Sequence, residues 1–269
     1  MASLINRRIE TRLGSLAVAD HGRGIPLMLW PSLFSDHRIY DPLFGLLGEG
    51  WRVLRVDGPG FGASSPPHGE VQPAEYASVV EGLLHELGLG KVLFAGCSWG
   101  GQIAAHLGAG GSERVAGIML MNTPLEPSRG RETFKILGTR WLGNTEFWGG
   151  GVARSMFAPV SRARHPERFA AFVASFRSFD RRAAARTART VLERSPGLLD
   201  VLPQNQLPAT ILLGGADRLY PAERLLPIVR LTPRAVVRVV PDCGHLAPLE
   251  APEAVAHALH ELAARSQVG

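Results

Sequence analysis

Six runs of apolar residues, each of strand length, recur along this chain: Pro26 to Trp30, Arg52 to Val56, Val92 to Ala95, Ala116 to Met121, Ala209 to Leu213 and Ala235 to Val240. Most are continuous rather than alternating, the pattern of strands buried on both faces. Between them lie stretches of helical periodicity: Pro73 to Leu87, Gly101 to Gly108, Pro221 to Leu231 and Pro252 to Ala264. Such a chain is expected to form an α/β fold, a mostly parallel sheet with helices on both faces.

Two segments depart from this rhythm. Arg8 to Arg12 and Ser15 to Ala19 flank Leu13-Gly14 as a hairpin would, which predicts antiparallel strands at one sheet edge. From Asn122 to Leu207 no strand-like run occurs, and aromatic residues are scattered through helical and glycine-rich sequence. We read residues 1–122 and 207–269 as one core and 123–206 as a helical cap inserted between two of its strands. A chain of 269 residues can bury a large single core.

The N-terminus lacks an apolar stretch of signal-peptide length, and no run approaches a membrane span. The expectation is a soluble, cytoplasmic protein without a membrane partner. Cys97 and Cys243 make neither a disulfide framework nor a metal-ligand spacing, which fits a reducing compartment. The net charge of +5 is uneven: Leu125 to Leu207 holds thirteen arginines and one lysine against seven acids, an excess of +7. Its densest part, Arg181 to Arg189, reads as a helix with a solvated arginine face; attraction of an anionic substrate is the alternative. No nucleic-acid motif or basic-aromatic interleaving accompanies the charge, so no nucleic-acid partner is expected.

Gly96-Cys97-Ser98-Trp99-Gly100 follows one apolar run directly and precedes a helical stretch. Strand, sharp turn and helix in that order hold the Ser98 hydroxyl clear of the backbone, with small residues letting the two elements approach. Gly-x-Ser-x-Gly is common enough to arise by chance, so the surrounding chemistry must support it. A serine hydroxyl is a poor nucleophile unless a histidine takes its proton, a carboxylate orients that histidine and N–H groups receive the oxyanion.

Each partner has a candidate. Asp217 lies in the loop after the run Ala209 to Leu213, at the strand edge where ligands of α/β sheets bind. By itself it could serve only to cap the next helix or order the turn. His245 follows the last run, in Pro241-Asp242-Cys243-Gly244-His245, and is the candidate base. The order serine, aspartate, histidine is the one this type of triad requires. For the oxyanion, the N–H of Trp99 pairs with one from the loop Trp30-Pro31-Ser32-Leu33-Phe34. Pro31 has no N–H, which leaves Leu33, with Phe34 in reserve. Trp99 and Phe34 are expected to wall the site, and Trp141 and Trp148 of the cap join Phe34 as candidate pocket residues.

Ser98, Asp217 and His245 in this order, with Asp57-Gly58-Pro59-Gly60-Phe61-Gly62-Ala63-Ser64 after the second parallel strand, resemble the α/β-hydrolase fold family from end to end. The resemblance implies acyl chemistry without a cofactor: attack by Ser98, proton transfer through His245, orientation by Asp217, then hydrolysis of the acyl-enzyme. Where many members carry His-Gly, this chain has Pro31-Ser32, and Pro-Ser-Leu-Phe-Ser-Asp is similar to the oxyanion loop of 3-oxoadipate enol-lactonases. That implies a small ester or lactone substrate. Carbon-carbon cleavage of the meta-cleavage-product type uses the same triad, and a ligand-binding receptor on the same scaffold is the non-enzymatic alternative.

Other groupings read as structural. His257 and His260 lack a third ligand for a metal, and the glycines from Gly58 to Gly62 lack the residues that complete a phosphate loop. Asp36, Asp57 and Asp242 are alternative acids. Asn122 stands where some relatives of this fold place the acid, and it cannot serve as a carboxylate, which favours Asp217.

Overall fold

The computed structural model describes residues 5–232, 234–266 and 268. Its strands are β1 (Ile5–Thr11), β2 (Gly14–Gly22), β3 (Ile25–Trp30), β4 (Trp51–Val56), β5 (Val92–Cys97), β6 (Val115–Met121), β7 (Ala209–Gly214) and β8 (Ala235–Val240). They form one sheet in the order β1-β2-β4-β3-β5-β6-β7-β8. β1 and β2 pair antiparallel, as does β2 with β4, and every other neighbour is parallel. All residues of β5, β6 and β7 are buried, which is why those segments read as unbroken apolar runs. At the edge, β8 is only half-buried and turns Arg238 outward to Glu261.

The helices before β7 are α1 (Phe44–Leu47), α2 (Pro73–Glu86), α3 (Trp99–Ala109), α4 (Thr133–Leu142), α5 (Glu146–Met156), α6 (Pro159–Arg164), α7 (Pro166–Ser178) and α8 (Arg181–Arg189). After it come α9 (Ala222–Leu225), α10 (Ile228–Leu231), α11 (Ala247–Glu250) and α12 (Pro252–Ser266). Local chemistry starts α2, where Pro73 opens the helix and the Glu75 carboxylate accepts from the Gln72 N–H at 2.8 Å. The single helix expected over Pro221 to Leu231 is instead two short ones. Pro227 breaks it, because proline has no N–H to donate and its ring crowds the preceding turn. Among the described residues no helix is long and apolar enough to cross a membrane.

From β6 to β7 the described chain forms helices α4 to α8, a π-turn at Thr190–Arg194 and a 3-10 turn at Leu202–Gln204, with no strand. In α8 the alanines Ala183, Ala184, Ala185 and Ala188 are buried while Arg182 and Arg186 are exposed, the solvated arginine face that its sequence predicts. Its small residues let it approach the turn after β4, where the Thr187 hydroxyl lies 3.5 Å from the Pro59 carbonyl. This brings the helical segment over the strand ends that carry the candidate residues.

Candidate active site

β5 ends at Cys97 and α3 begins at Trp99, so Ser98 alone makes the turn between them. Its φ of 52° and ψ of −105° lie outside the ordinary regions for a residue with a Cβ. Such a conformation costs about 1–3 kcal/mol and persists only where neighbours enforce it. Here the Ser98 N–H donates to the Met121 carbonyl at 2.7 Å. The glycines of the motif serve close packing: a Cβ on Gly96 would overlap the backbone of Gly100, and one on Gly100 the carbonyl of Trp30. Strand and helix therefore pack backbone to backbone, and the serine is pushed out of both.

Asp217 divides its two oxygens between structure and chemistry. Oδ1 accepts the N–H groups of Leu219 at 2.8 Å and Tyr220 at 3.1 Å, while Oδ2 lies 2.8 Å from His245 Nδ1. The turn role expected of a lone loop aspartate is thus real, and it aims the second oxygen. Asp217 and His245 are 4% and 2% exposed, so their pairing is shielded from water. With the proton on Nδ1, Nε2 is left free to accept another.

Three groups hold the histidine loop. The His245 N–H donates to the Met156 carbonyl at 2.8 Å, tying it to the end of α5. Glu250 accepts from Gly244 N–H and Leu246 N–H, each at 3.0 Å, bracketing His245 on both sides. Burial pushes the Glu250 carboxyl above its ordinary pKa despite these donors. Asn122 accepts from Gly214 N–H at 2.7 Å and donates to the Gly244 carbonyl at 2.5 Å, joining the end of β7 to the histidine loop. Both cysteines are free and buried, and Cys97 Sγ lies 3.4 Å from the His245 carbonyl.

The loop after β3 holds Leu33 and Phe34 buried, with Phe34 at a φ of 63°. It is anchored by Tyr40, whose hydroxyl donates to the Trp30 carbonyl at 2.7 Å, and by Asp57, which accepts from His37 N–H at 2.9 Å and Ala63 N–H at 2.8 Å. Asp36 accepts from Arg38 and Ser175. Burial raises its affinity for a proton, but those donors bring its pKa below the ordinary carboxylate value. Asp36, His37 and Asp57 lie close enough to share an ion, yet these carboxylate oxygens already accept from protein donors. Asp242 is exposed, and its carbonyl accepts from Ser161. His257 pairs with Glu261 and His260 lies edge-on to Trp51.

Ser98 and His245 line one cavity together with Leu33 and Phe34, roofed by Glu132, Lys135, Met156 and Leu192 of the helical segment. Its volume is about 20 Å³, room for about one water molecule. Lys135 Nζ pairs with Glu132 at 2.6 Å in that roof. Three aromatic expectations need correction, because none of these side chains lines the cavity of Ser98. The Trp99 side chain is fully buried under the elbow against Trp30, Phe61 and Tyr76, leaving only its backbone near the site. Trp141 is 67% exposed on the outer side of α4, beneath the Arg140 guanidinium. Trp148 turns toward Gly138, donates its indole N–H to Thr139 Oγ1 at 3.1 Å, and lines a separate groove. Helix phase, which scattered aromatics do not reveal, sent both tryptophans of the helical segment away from Ser98.

Glu132, Lys135, Met156 and Glu250 have no role in the sequence reading. Lys135 carried one signal, being one of only two lysines in the chain. Glu250 carried another, an acid five residues after the histidine in an otherwise apolar stretch.

The comparisons with known proteins agree with this fold. The model of the alpha/beta hydrolase family matches residues 18–258. Haloalkane dehalogenase 2 of Mycobacterium tuberculosis is 26% identical over 275 residues, covering 95% of this chain and 94% of that protein. A thermophilic esterase from Thermogutta terrifontis superposes with a TM-score of 0.87 at 27% identity, covering 97% of this chain and 99% of that one. The enol-lactonase from Burkholderia xenovorans LB400 superposes with a TM-score of 0.88 at 20% identity, covering 96% of this chain and 100% of that one, a likeness of fold. With a serine elbow, a buried aspartate-histidine pair and a family model spanning nearly the whole sequence, the chain belongs to the alpha/beta hydrolase family.

Proposed function

We propose that this protein hydrolyses a carboxylic ester or lactone through an acyl-enzyme on Ser98, without a cofactor, and that residues 123–206 act as a cap over the reacting bond. The observation that carries the reading is the pairing of His245 Nδ1 with Asp217 Oδ2 at 2.8 Å, in a cavity His245 shares with Ser98. Ser98 Oγ attacks the carbonyl carbon as its proton passes to His245 Nε2. Asp217 stabilises the imidazolium and keeps the ring in register. The oxyanion is received by the N–H groups of Trp99 and Leu33; among the described residues no acceptor takes either. The leaving alcohol takes the proton from Nε2, and water, activated by the same nitrogen, releases the acid.

The nucleophile's chemistry favours acyl over alkyl substrates. Displacing a halide would alkylate Ser98 and leave an ether, which has no acyl carbon for water to attack. Similarity to a protein named a haloalkane dehalogenase therefore does not carry that reaction over to this chain.

The test is a hydrolysis screen with short and medium acyl 4-nitrophenyl esters, lactones with and without a carboxylate, and a vinylogous diketone, each repeated with Ser98→Ala. The variant is expected to lose at least about a thousandfold in kcat while folding normally. Near wild-type activity in the variant would refute the nucleophile. Turnover of the diketone alone would move the reading to carbon-carbon cleavage, and no turnover on any compound would favour a ligand-binding role.

A further inference from the structure

The catalytic cavity cannot hold an ester as it stands, since its 20 Å³ accommodates about one water. On the other side of Lys135 lies a groove of about 280 Å³ between α4 and α5, lined by Phe134, Phe147, Trp148, Val152 and the side chains of Lys135 and Arg154. Lys135 lines both spaces, so one flexible side chain borders both the groove and the cavity of Ser98. The walls are unusual for a protein surface: Phe134 is 78% and Phe147 is 79% exposed, side by side with the half-buried Trp148. Clustered exposed aromatics mark a binding surface rather than a solvated face. Trp148 is fixed by its hydrogen bond to Thr139 and by an edge-on contact with Phe134 at 5.5 Å, so one wall is built in advance of any ligand.

A second space, of about 520 Å³, adjoins the catalytic cavity through Glu132, Leu219 and Tyr220. It differs in chemistry, with Glu126, Arg131 and Arg224 in its lining, and suits a polar group. An apolar chain would leave those charges without water, whereas the α4–α5 groove is walled mainly by Phe134, Phe147, Trp148 and Val152, its charges confined to the ends of the long Lys135 and Arg154 side chains.

We propose that the groove between α4 and α5 seats an apolar acyl chain of the substrate, which reaches Ser98 when Lys135 swings aside from Glu132. The inference rests on the ester or lactone reading above and narrows the substrate to acyl groups of medium length. Lys135 is suited to the task because its long stem can follow the chain while its ammonium stays at the rim.

The experiment measures binding and turnover separately. Ser98→Ala protein is titrated calorimetrically with 4-nitrophenyl acetate and 4-nitrophenyl octanoate, alone and with Phe134→Ala and Phe147→Ala added. Both phenylalanines are exposed, so their loss does not open the core. The octanoate ester is expected to bind at least tenfold more tightly than the acetate, and the double replacement to remove most of that ratio. Leu137→Ala, on α4 but outside the groove lining, is expected to leave the ratio alone. Equal affinity for the two esters, or a preference that survives the double replacement, would overturn the proposal. Turnover of the same esters by the wild-type chain is read independently: chain-dependent binding without turnover would sink the hydrolase reading and leave the groove standing.

Discussion

Glu250 accepts a hydrogen bond from the backbone N–H of Ala158 at 2.8 Å, so the carboxylate that brackets His245 also holds the start of α6. The histidine loop and the helical segment are therefore set by one side chain. Glu250→Gln replaces an oxygen with an NH₂ group facing N–H donors, which leaves a buried donor unpaired. The expected effects are a loss of about 1–3 kcal/mol in stability and a fall of about tenfold in kcat. Because Glu250 acts through His245, the pH midpoint of the kcat profile is expected to move. An altered melting temperature with an unmoved profile would reduce Glu250 to a purely structural part.

Asn122 supports the same loop from the sheet side. Asn122→Ala leaves Gly214 N–H and the Gly244 carbonyl without their partner, at a cost of about 1–3 kcal/mol. Asn122→Asp is expected to be worse, because it loses the donor and sets a carboxylate against the Gly244 carbonyl. Denaturant unfolding of the two variants side by side checks the order; equal stability would contradict it.

Glycines in this chain divide by what surrounds them. Gly100→Ala forces a methyl into the Trp30 carbonyl and is expected to destabilise by about 1–3 kcal/mol or more, with loss of ester hydrolysis as the elbow shifts. Gly82 sits in α2 with nothing near its Cβ position, and Gly82→Ala is expected to stabilise by about 0.5–1 kcal/mol. Thermal melts of the pair should move in opposite directions.

Asp20 joins β2 to β4 by accepting from Arg52 Nε at 3.1 Å and from Arg52 Nη2 at 2.8 Å, with Arg7 nearby. The Arg52 hydrogen bonds outweigh burial and hold the carboxyl below its ordinary pKa of 3.8. A lowered folded-state pKa gives stability that is complete above the unfolded value and is lost as pH falls through the folded one. At neutral pH, Asp20→Asn is therefore expected to be less stable than wild type by on the order of 1 kcal/mol. The gap should close as pH drops below about 4. A gap that is constant or widens in acid would contradict the assignment.

Much of the site was legible because its parts carry short-range signals. Ser98 sits between Gly96 and Gly100 directly after an apolar run and before a helical one, and Asp217 and His245 each follow an apolar run at the carboxyl end of a strand. That Trp141 and Trp148 both stand away from the cavity of Ser98 was not legible, for the opposite reason. A tryptophan in an amphipathic helix packs inward or outward according to the helix's rotation on its neighbours, which residues distant in sequence decide.

The sequence by itself determined the parallel sheet, the antiparallel edge and the order of serine, aspartate and histidine, since continuous apolar runs, turn glycines and chain order are local properties. Only the tertiary structure decided that Glu250 and Asn122 lock the histidine loop, that Glu132 and Lys135 roof the cavity, and that Phe134, Phe147 and Trp148 line a separate groove. Those relations join residues far apart in the chain, with Glu250 reaching Ala158 across 92 positions. Their cause is the unpaired N–H and carbonyl groups that burial brings together, which must find partners wherever the packing has placed them.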